Sequence, residues 1–198
     1  MKDLSLHLLD LIENAAKAGA GRVVVTLWWD GTAFCLEVSD NGPGLPAAVA
    51  AAPTDPYSTT RTERPVGLGL ALLQAAADQV GGRVEVRSVP GAGVTVLAVL
   101  PQDHLDAKPL GDLVGALVTA AVGWPLDLQV AVGRPSETIL DLAAVREHLD
   151  AVPLSHPEVV RYLRDVLEEG LAPLQAQAER VFGAAAAVLT TSARPPPA

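Results

Sequence analysis

The run Arg22–Ser39 constrains the fold before anything else does. RVVVTLWW is rich in β-branched and aromatic residues, Asp30-Gly31 is a turn signal, and AFCLEVS returns as a second strand-like run. Together they predict an antiparallel hairpin. The chain then enters DNGPGLP, Asp40–Pro46, where two glycines bracket a proline. No helix or strand accommodates that run, so the backbone turns tightly and approaches something closely. The hairpin needs a cover for its apolar face, and Leu8–Gly21 supplies one. Leu4, Leu8, Leu11, Ile12 and Ala15 recur at helical spacing, and Gly19 and Gly21 provide the stop. Further on, Val66–Val80 reads as a second amphipathic helix opened by GLGL and closed by Gly81-Gly82. Arg83–Val89 and Val94–Leu100 read as another strand pair. Strand pairs alternating with helices predict an α+β fold, a two-layer sandwich with helices on one face of a mostly antiparallel sheet.

The chain has 198 residues and a net charge of −9. This acidic balance argues against a nucleic-acid backbone or an anionic membrane as the main partner. No apolar run is long and charge-free enough to span a bilayer, and MKDLSLHLLD lacks a signal-peptide pattern. The lone cysteine, Cys35, excludes a disulfide framework and reads as a small core residue, which predicts a cytoplasmic protein.

The stripe opposite the apolar face of the first helix carries Asp3, His7, Asp10, Glu13, Asn14 and Lys17. Asp10 and Asn14 stand four apart, so both reach the same side. A carboxylate and a carboxamide so placed suit a hydrated magnesium ion near a phosphate, since magnesium favours oxygen ligands and keeps several waters. Taken alone, such a stripe is simply a solvated helix face. Asp40-Asn41-Gly42 alone is ordinary turn chemistry. Gly67-Leu68-Gly69-Leu70 alone is a set of small residues where a helix packs closely.

Their order changes the reading. A polar-faced helix, then DNGPGLP, then GLGL opening a helix resembles the GHKL ATP-binding fold over roughly Met1–Pro101. That superfamily includes sensor histidine kinases, anti-sigma factor kinases, DNA gyrase, ninety-kilodalton heat-shock chaperones and mismatch-repair ATPases. LIENAAKAGA is similar to the first motif of the mismatch-repair ATPases, while PYSTTRTERPVGLGLAL and GAGVTVLAVLP are closer to histidine kinases. The resemblance implies ATP and Mg2+ as cofactors. It places Asp40 as acceptor for the adenine amino group, a task suited to an acceptor-only carboxylate. It places Gly42 and Gly44 against the purine ring, and Gly67, Leu68, Gly69 and Leu70 at the phosphates, where helix-start amides attract anions. Tyr57 and Arg61 match the lid segment, Arg61 reaching for the terminal phosphate and Arg64 ranking behind it. Asn14 matches the magnesium-holding asparagine. Asp10 falls where the ATPases carry the glutamate that activates the nucleophile, which makes it the first candidate for general base. Glu13 ranks second, because its direction differs from that of Asn14 by about 100° round the helix. Lys17 touches phosphate or faces solvent, and His7 reads as a surface or packing histidine. Where the family often has a hydroxyl directly after Gly-x-Gly, Val94 stands here, and Thr95 one later is carried only weakly. The chain begins at the first motif, so a built-in phosphoaccepting histidine hairpin is not expected.

Beyond Pro101 the composition shifts. Leu110–Val122 reads as an apolar helix, Leu126–Val132 and Thr138–Leu142 as strands, and Ala143–Leu149 as a short helix. Ser155–Gly170 reads as a helix with a capping-box start at Ser155 and Glu158. This gives 1–101 as the ATP-binding domain, 102–171 as a small accessory α/β appendage, and 172–198 as an alanine-rich helix with a disordered proline-rich tail. DHLDAKPLGDL and the run from PSETILDL to EEGL resemble stand-alone bacterial GHKL proteins found with iron–iron hydrogenase and NADH-oxidoreductase subunits. That resemblance implies a redox-complex subunit as partner; the oligomeric state stays open, a homodimer included. Two functions remain. One is phosphoryl transfer, to water or to a protein in trans. The other is an ATP-dependent binding switch with little turnover.

Overall fold

The computed structural model describes residues 1–46, 49, 53–54, 68–149 and 152–192. Six strands form one sheet: β1 (Arg22–Asp30), β2 (Ala33–Asp40), β3 (Arg83–Val89), β4 (Gly93–Pro101), β5 (Asp127–Val132) and β6 (Glu137–Asp141). Their order is β3-β4-β2-β1-β5-β6. Each neighbouring pair is antiparallel except β1–β5, which is parallel. The expected hairpin is present, with Val23 opposite Asp40 and Asp30 opposite Ala33. Strand residues alternate between faces. One face carries Val23, Val25, Leu27, Phe34, Leu36, Val38, Val96, Ala98, Leu100, Leu128 and Val130, all buried in a single core. Cys35, on the other face, is also buried, and burial pushes its thiol up to about 11, as befits a core residue rather than a nucleophile.

Five described helices accompany this sheet: α1 (Leu4–Lys17), α2 (Leu68–Gln79), α3 (Leu113–Gly123), α4 (Leu142–His148) and α5 (Pro157–Ser192). The α+β sandwich anticipated from the sequence is thus the observed architecture. Helix α1 starts at Leu4 because Asp3 caps it, accepting from the Leu6 amide at 3.1 Å. Its expected apolar stripe is buried. His7, assigned above to the solvent-facing stripe, is 2% exposed. The reason is that α1 is covered on two sides. It packs on the sheet, and the chain before α3 crosses its first turn, where Leu4 and Ser5 donate to the Pro109 and Leu110 carbonyls at 3.0 and 2.9 Å.

The α/β appendage expected after Pro101 is built onto the sheet. β5 pairs with β1 over Arg22–Leu27, so the fold has one continuous core. The capping box expected at Ser155 is absent. Helix α5 begins at Pro157, a residue suited to the first helical position, and the His156 Nδ1 accepts from the Glu158 amide at 3.4 Å. The helix then runs on through Pro173 to Ser192. It buries Val159, Leu163, Leu167, Leu171, Leu174 and Ala178 at helical spacing. The Trp29 indole N–H donates to the Leu174 carbonyl at 3.0 Å, tying this helix to β1.

Candidate nucleotide site

Helix α1 supplies four of the candidate residues, Asp10, Glu13, Asn14 and Lys17. The Asn14 Nδ2 donates to Asp10 Oδ2 at 3.0 Å across one helical turn. Glu13 and Lys17 form a separate ion pair further round the helix, the Lys17 side chain more than half exposed. The two candidate bases therefore sit in different surroundings: Asp10 beside Asn14, Glu13 with a lysine.

The first turn of α2 closes on this pair. A β-carbon built on Gly69 would lie 1.8 Å from Asp10 Oδ2 and 3.3 Å from Asn14 Nδ2. No other residue type fits there without moving the carboxylate. Sequence spacing put these motifs more than fifty positions apart; the fold places them in contact. Leu70 is half-buried against the core, a packing role beside its place in the motif. Tyr57, Arg61, Arg64, Gly67 and the Leu68 side chain lie outside the described residues.

Asp40 ends β2 on the helix-covered face, two residues on from Val38. Its Oδ1 accepts from the Gly42 amide at 2.8 Å and lies 3.4 Å from the Val94 amide. These amides hold one carboxylate oxygen and orient the group. Gly42 packs against Ala20, where α1 leaves for β1. Gly44, at φ +79°, would put a β-carbon 2.7 Å from the Val89 carbonyl oxygen. The Gly91 amide donates to the Pro43 carbonyl at 2.8 Å, and the Leu45 amide donates to Ser88 Oγ at 2.7 Å. The Asp40–Leu45 loop is thus fastened to the β3–β4 turn. Gly93 permits an equally close approach: a β-carbon there would fall 1.8 Å from the Asp40 carbonyl oxygen. Thr95 pairs its hydroxyl with Ser39 at 2.9 Å. By strand alternation that pair lies on the face away from Asp40.

One residue escaped the sequence reading. Asn41 Oδ1 accepts from the Gly21 and Arg22 amides at 2.9 and 2.8 Å, holding the Asp40 loop to the start of β1. Its signal was available, because an asparagine side chain readily serves amides that a strand start leaves open. His7, read from the sequence as a surface or packing histidine, is buried, and its ring nitrogens have no hydrogen-bond partner among the described residues. Burial, reinforced by the chain's amino terminus and Lys108, holds its pKa down at about 4.

Residues 2–104 match the family of histidine kinase-, DNA gyrase B- and HSP90-like ATPases. The chain belongs to this family. Membership supports ATP binding. Curated relatives of this ATPase domain are histidine kinases and nitrogen regulators. The nitrogen regulation protein NtrY of Azorhizobium caulinodans is 32% identical over 116 residues, 54% of this chain and 15% of its own. The sensor histidine kinase ZraS of Escherichia coli O157:H7 is 35% identical over 110 residues, 54% of this chain and 24% of its own. The circadian input-output histidine kinase CikA of a Synechocystis strain is 30% identical over 142 residues, 68% of this chain and 18% of its own. The matched stretch spans less than a quarter of each of these relatives. No described helix of this chain is long and apolar enough to cross a membrane. Among the described residues no three His, Cys, Asp or Glu side chains gather as a metal cluster.

Proposed function

We propose that this chain binds ATP with magnesium and moves the terminal phosphoryl group to water or to a protein partner in trans. The observation that carries the reading is the contact of Asp10 and Asn14 with Gly69, which puts a carboxylate and a carboxamide against the turn assigned to the phosphates. Two side-chain oxygen donors fit a magnesium ion that retains most of its water. Held there, the ion would supply charge neutralisation at the phosphates. Asn14 would hold it, and Asp10 would orient a water or hydroxyl and accept its proton. Asp40 would receive the adenine amine, with Gly42 and Gly44 leaving room for the ring. Gly67–Leu70 would present amides to the phosphates, and Tyr57 and Arg61 would close over them. The Glu13–Lys17 pair supports Asp10 over Glu13 as base, because Glu13 already has a cation beside it.

The runs after Pro101 support a redox-complex subunit as the partner, in the cytoplasm where ATP is made available. The test is incubation with γ-labelled ATP, alone and with hydrogenase or NADH-oxidoreductase subunits. The expected result is labelled phosphate or labelled subunit, lost in Asp10→Asn. Tight ATP binding without any label transfer would instead support an ATP-dependent binding switch.

A further inference from the structure

The loop that carries Asp40 holds a side chain that the nucleotide reading leaves without a task. Asp40 and Gly42 close a small turn, in which the Gly42 amide donates to Asp40 Oδ1 at 2.8 Å. The residue at the centre of that turn is Asn41, and its side chain reaches across to the start of β1. One oxygen, Asn41 Oδ1, accepts from the Gly21 amide at 2.9 Å and from the Arg22 amide at 2.8 Å. The Asn41 amide in turn donates to the Arg22 carbonyl at 3.2 Å. The strand start so bonded is itself fixed from the far side. The Asp127 amide donates to the Gly21 carbonyl at 2.9 Å, and Arg146 donates to the Leu126 carbonyl at 2.9 Å and to the Asp127 carboxylate. On the loop's other flank, the Asp40 carbonyl sits over Gly93, where no β-carbon would fit.

Resting on the nucleotide reading above, we propose that Asn41 is a positioning residue that aims the Asp40 carboxylate, and so sets the preference of the site for a base carrying an amine donor. A hydrogen bond weakens steeply as its angle departs from linear, so an acceptor has to be aimed as well as present. Asn41 fixes the peptide units on both of its sides. One carries the Asp40 carbonyl against Gly93. The other supplies the Gly42 amide that occupies Asp40 Oδ1, leaving the second carboxylate oxygen for the amine. Without the Asn41 side chain the Gly21 and Arg22 amides lose their shared acceptor and the turn is free to shift. Asp40 then keeps its charge but loses its direction. The task needs a side-chain oxygen at this reach, which asparagine and aspartate have and serine, one bond shorter, has not.

The experiment compares ATP with purine riboside triphosphate, which has hydrogen in place of the adenine amine. Both are titrated calorimetrically in excess magnesium into wild type, Asn41→Ala, Asn41→Ser, Asn41→Asp and Asp40→Asn. The ratio of the two affinities is the readout, because general damage to the fold or an added charge falls on both nucleotides alike. Asn41 is exposed, so its replacement leaves the core intact. Wild type is expected to favour ATP by about tenfold or more. Asn41→Ala and Asn41→Ser should bring the ratio down to about threefold or less, and Asn41→Asp should restore most of it. In the Asp40→Asn background, Asn41→Ala should change the ratio no further, since the two residues act as one unit. If Asn41→Ala and Asn41→Ser keep the wild-type ratio while Asp40→Asn loses it, the positioning role is overturned and the reading of Asp40 stands. If wild type binds both nucleotides equally well, the reading of Asp40 falls and takes the proposal with it.

Discussion

Asn14 donates to Asp10 at 3.0 Å, while Glu13, next to Asn14 in sequence, pairs with Lys17 instead. One helix turn thus sorts two carboxylates into different surroundings. Asp10→Asn keeps the hydrogen-bonding shape and removes the base. It is expected to lower phosphate release or partner phosphorylation by roughly 100-fold or more, the scale of general-base loss. Magnesium–ATP binding should stay within a few-fold. Glu13→Gln is expected to change turnover little. A dead Glu13→Gln beside an active Asp10→Asn would reverse the assignment.

Asp40 is held by the Gly42 amide through one oxygen. Replacing it with asparagine removes the charge from the bond proposed to the adenine amine. Asp40→Asn should cost about 1–3 kcal/mol of ATP affinity, the worth of a charge-assisted hydrogen bond. Wild type should prefer ATP to GTP, because guanine offers a carbonyl where adenine offers an amine. Calorimetry with both nucleotides checks this, and equal affinities would remove Asp40 from the base-reading role.

His7 makes stability depend on acid. Its pKa lies at about 4 in the folded chain against 6.5 for an ordinary histidine. The unfolded chain therefore binds the extra proton first. Above pH 6.5 both states are neutral and His7 contributes nothing to the pH dependence. As pH falls from 6.5 towards 4, folding loses stability, by on the order of 3 kcal/mol at the bottom of the window. Thermal melts of wild type and His7→Leu at neutral pH and near pH 4.5 should diverge, the wild type losing more. Parallel losses in the two proteins would mean that other groups carry the acid sensitivity.

Cutting the chain after Pro101 tests the continuity of the core. It would strip β5 from β1 and α3 from α1, exposing the outer edge of β1 and apolar surface on α1. The expected outcome is loss of cooperative melting and of ATP binding. A soluble truncated protein that melts sharply and still binds ATP would show that Met1–Pro101 suffices.

The elements were legible wherever the signal was local. The β1–β2 hairpin follows from a β-branched run and an Asp-Gly turn, and the α1 stripe from helical spacing. The motifs were legible as a set because their order is rigid even though each is weak. What escaped notice depended on tertiary partners. His7 sits three residues from Leu4 and four from Leu11, and only the crossing of Pro109 and Leu110 turns that position inward. The β1–β5 pairing joins segments whose local patterns carry no mark of each other. Ser155 and Glu158 have capping-box spacing, yet Pro157 starts α5 instead. Gly69 was legible as a phosphate-loop glycine. Its service as a seat for Asp10 was not, because nothing in the sequence says that the two helices touch.

The parallel register that sets Arg22 against Asp127 also places a delay in the life of each new molecule. On the ribosome, β1 emerges with one neighbour, β2, close behind it and the other roughly a hundred residues behind. At synthesis rates of about 5–20 residues per second, the second neighbour follows some 5–20 s later. By the end of that interval the nascent chain carries all its nucleotide motifs but still lacks the strand and helix that back them. Its β1 edge is open to any passing strand. The stretch that reads most clearly as an ATPase is the first to be made, and it waits on the least recognisable part of the sequence to become a finished protein.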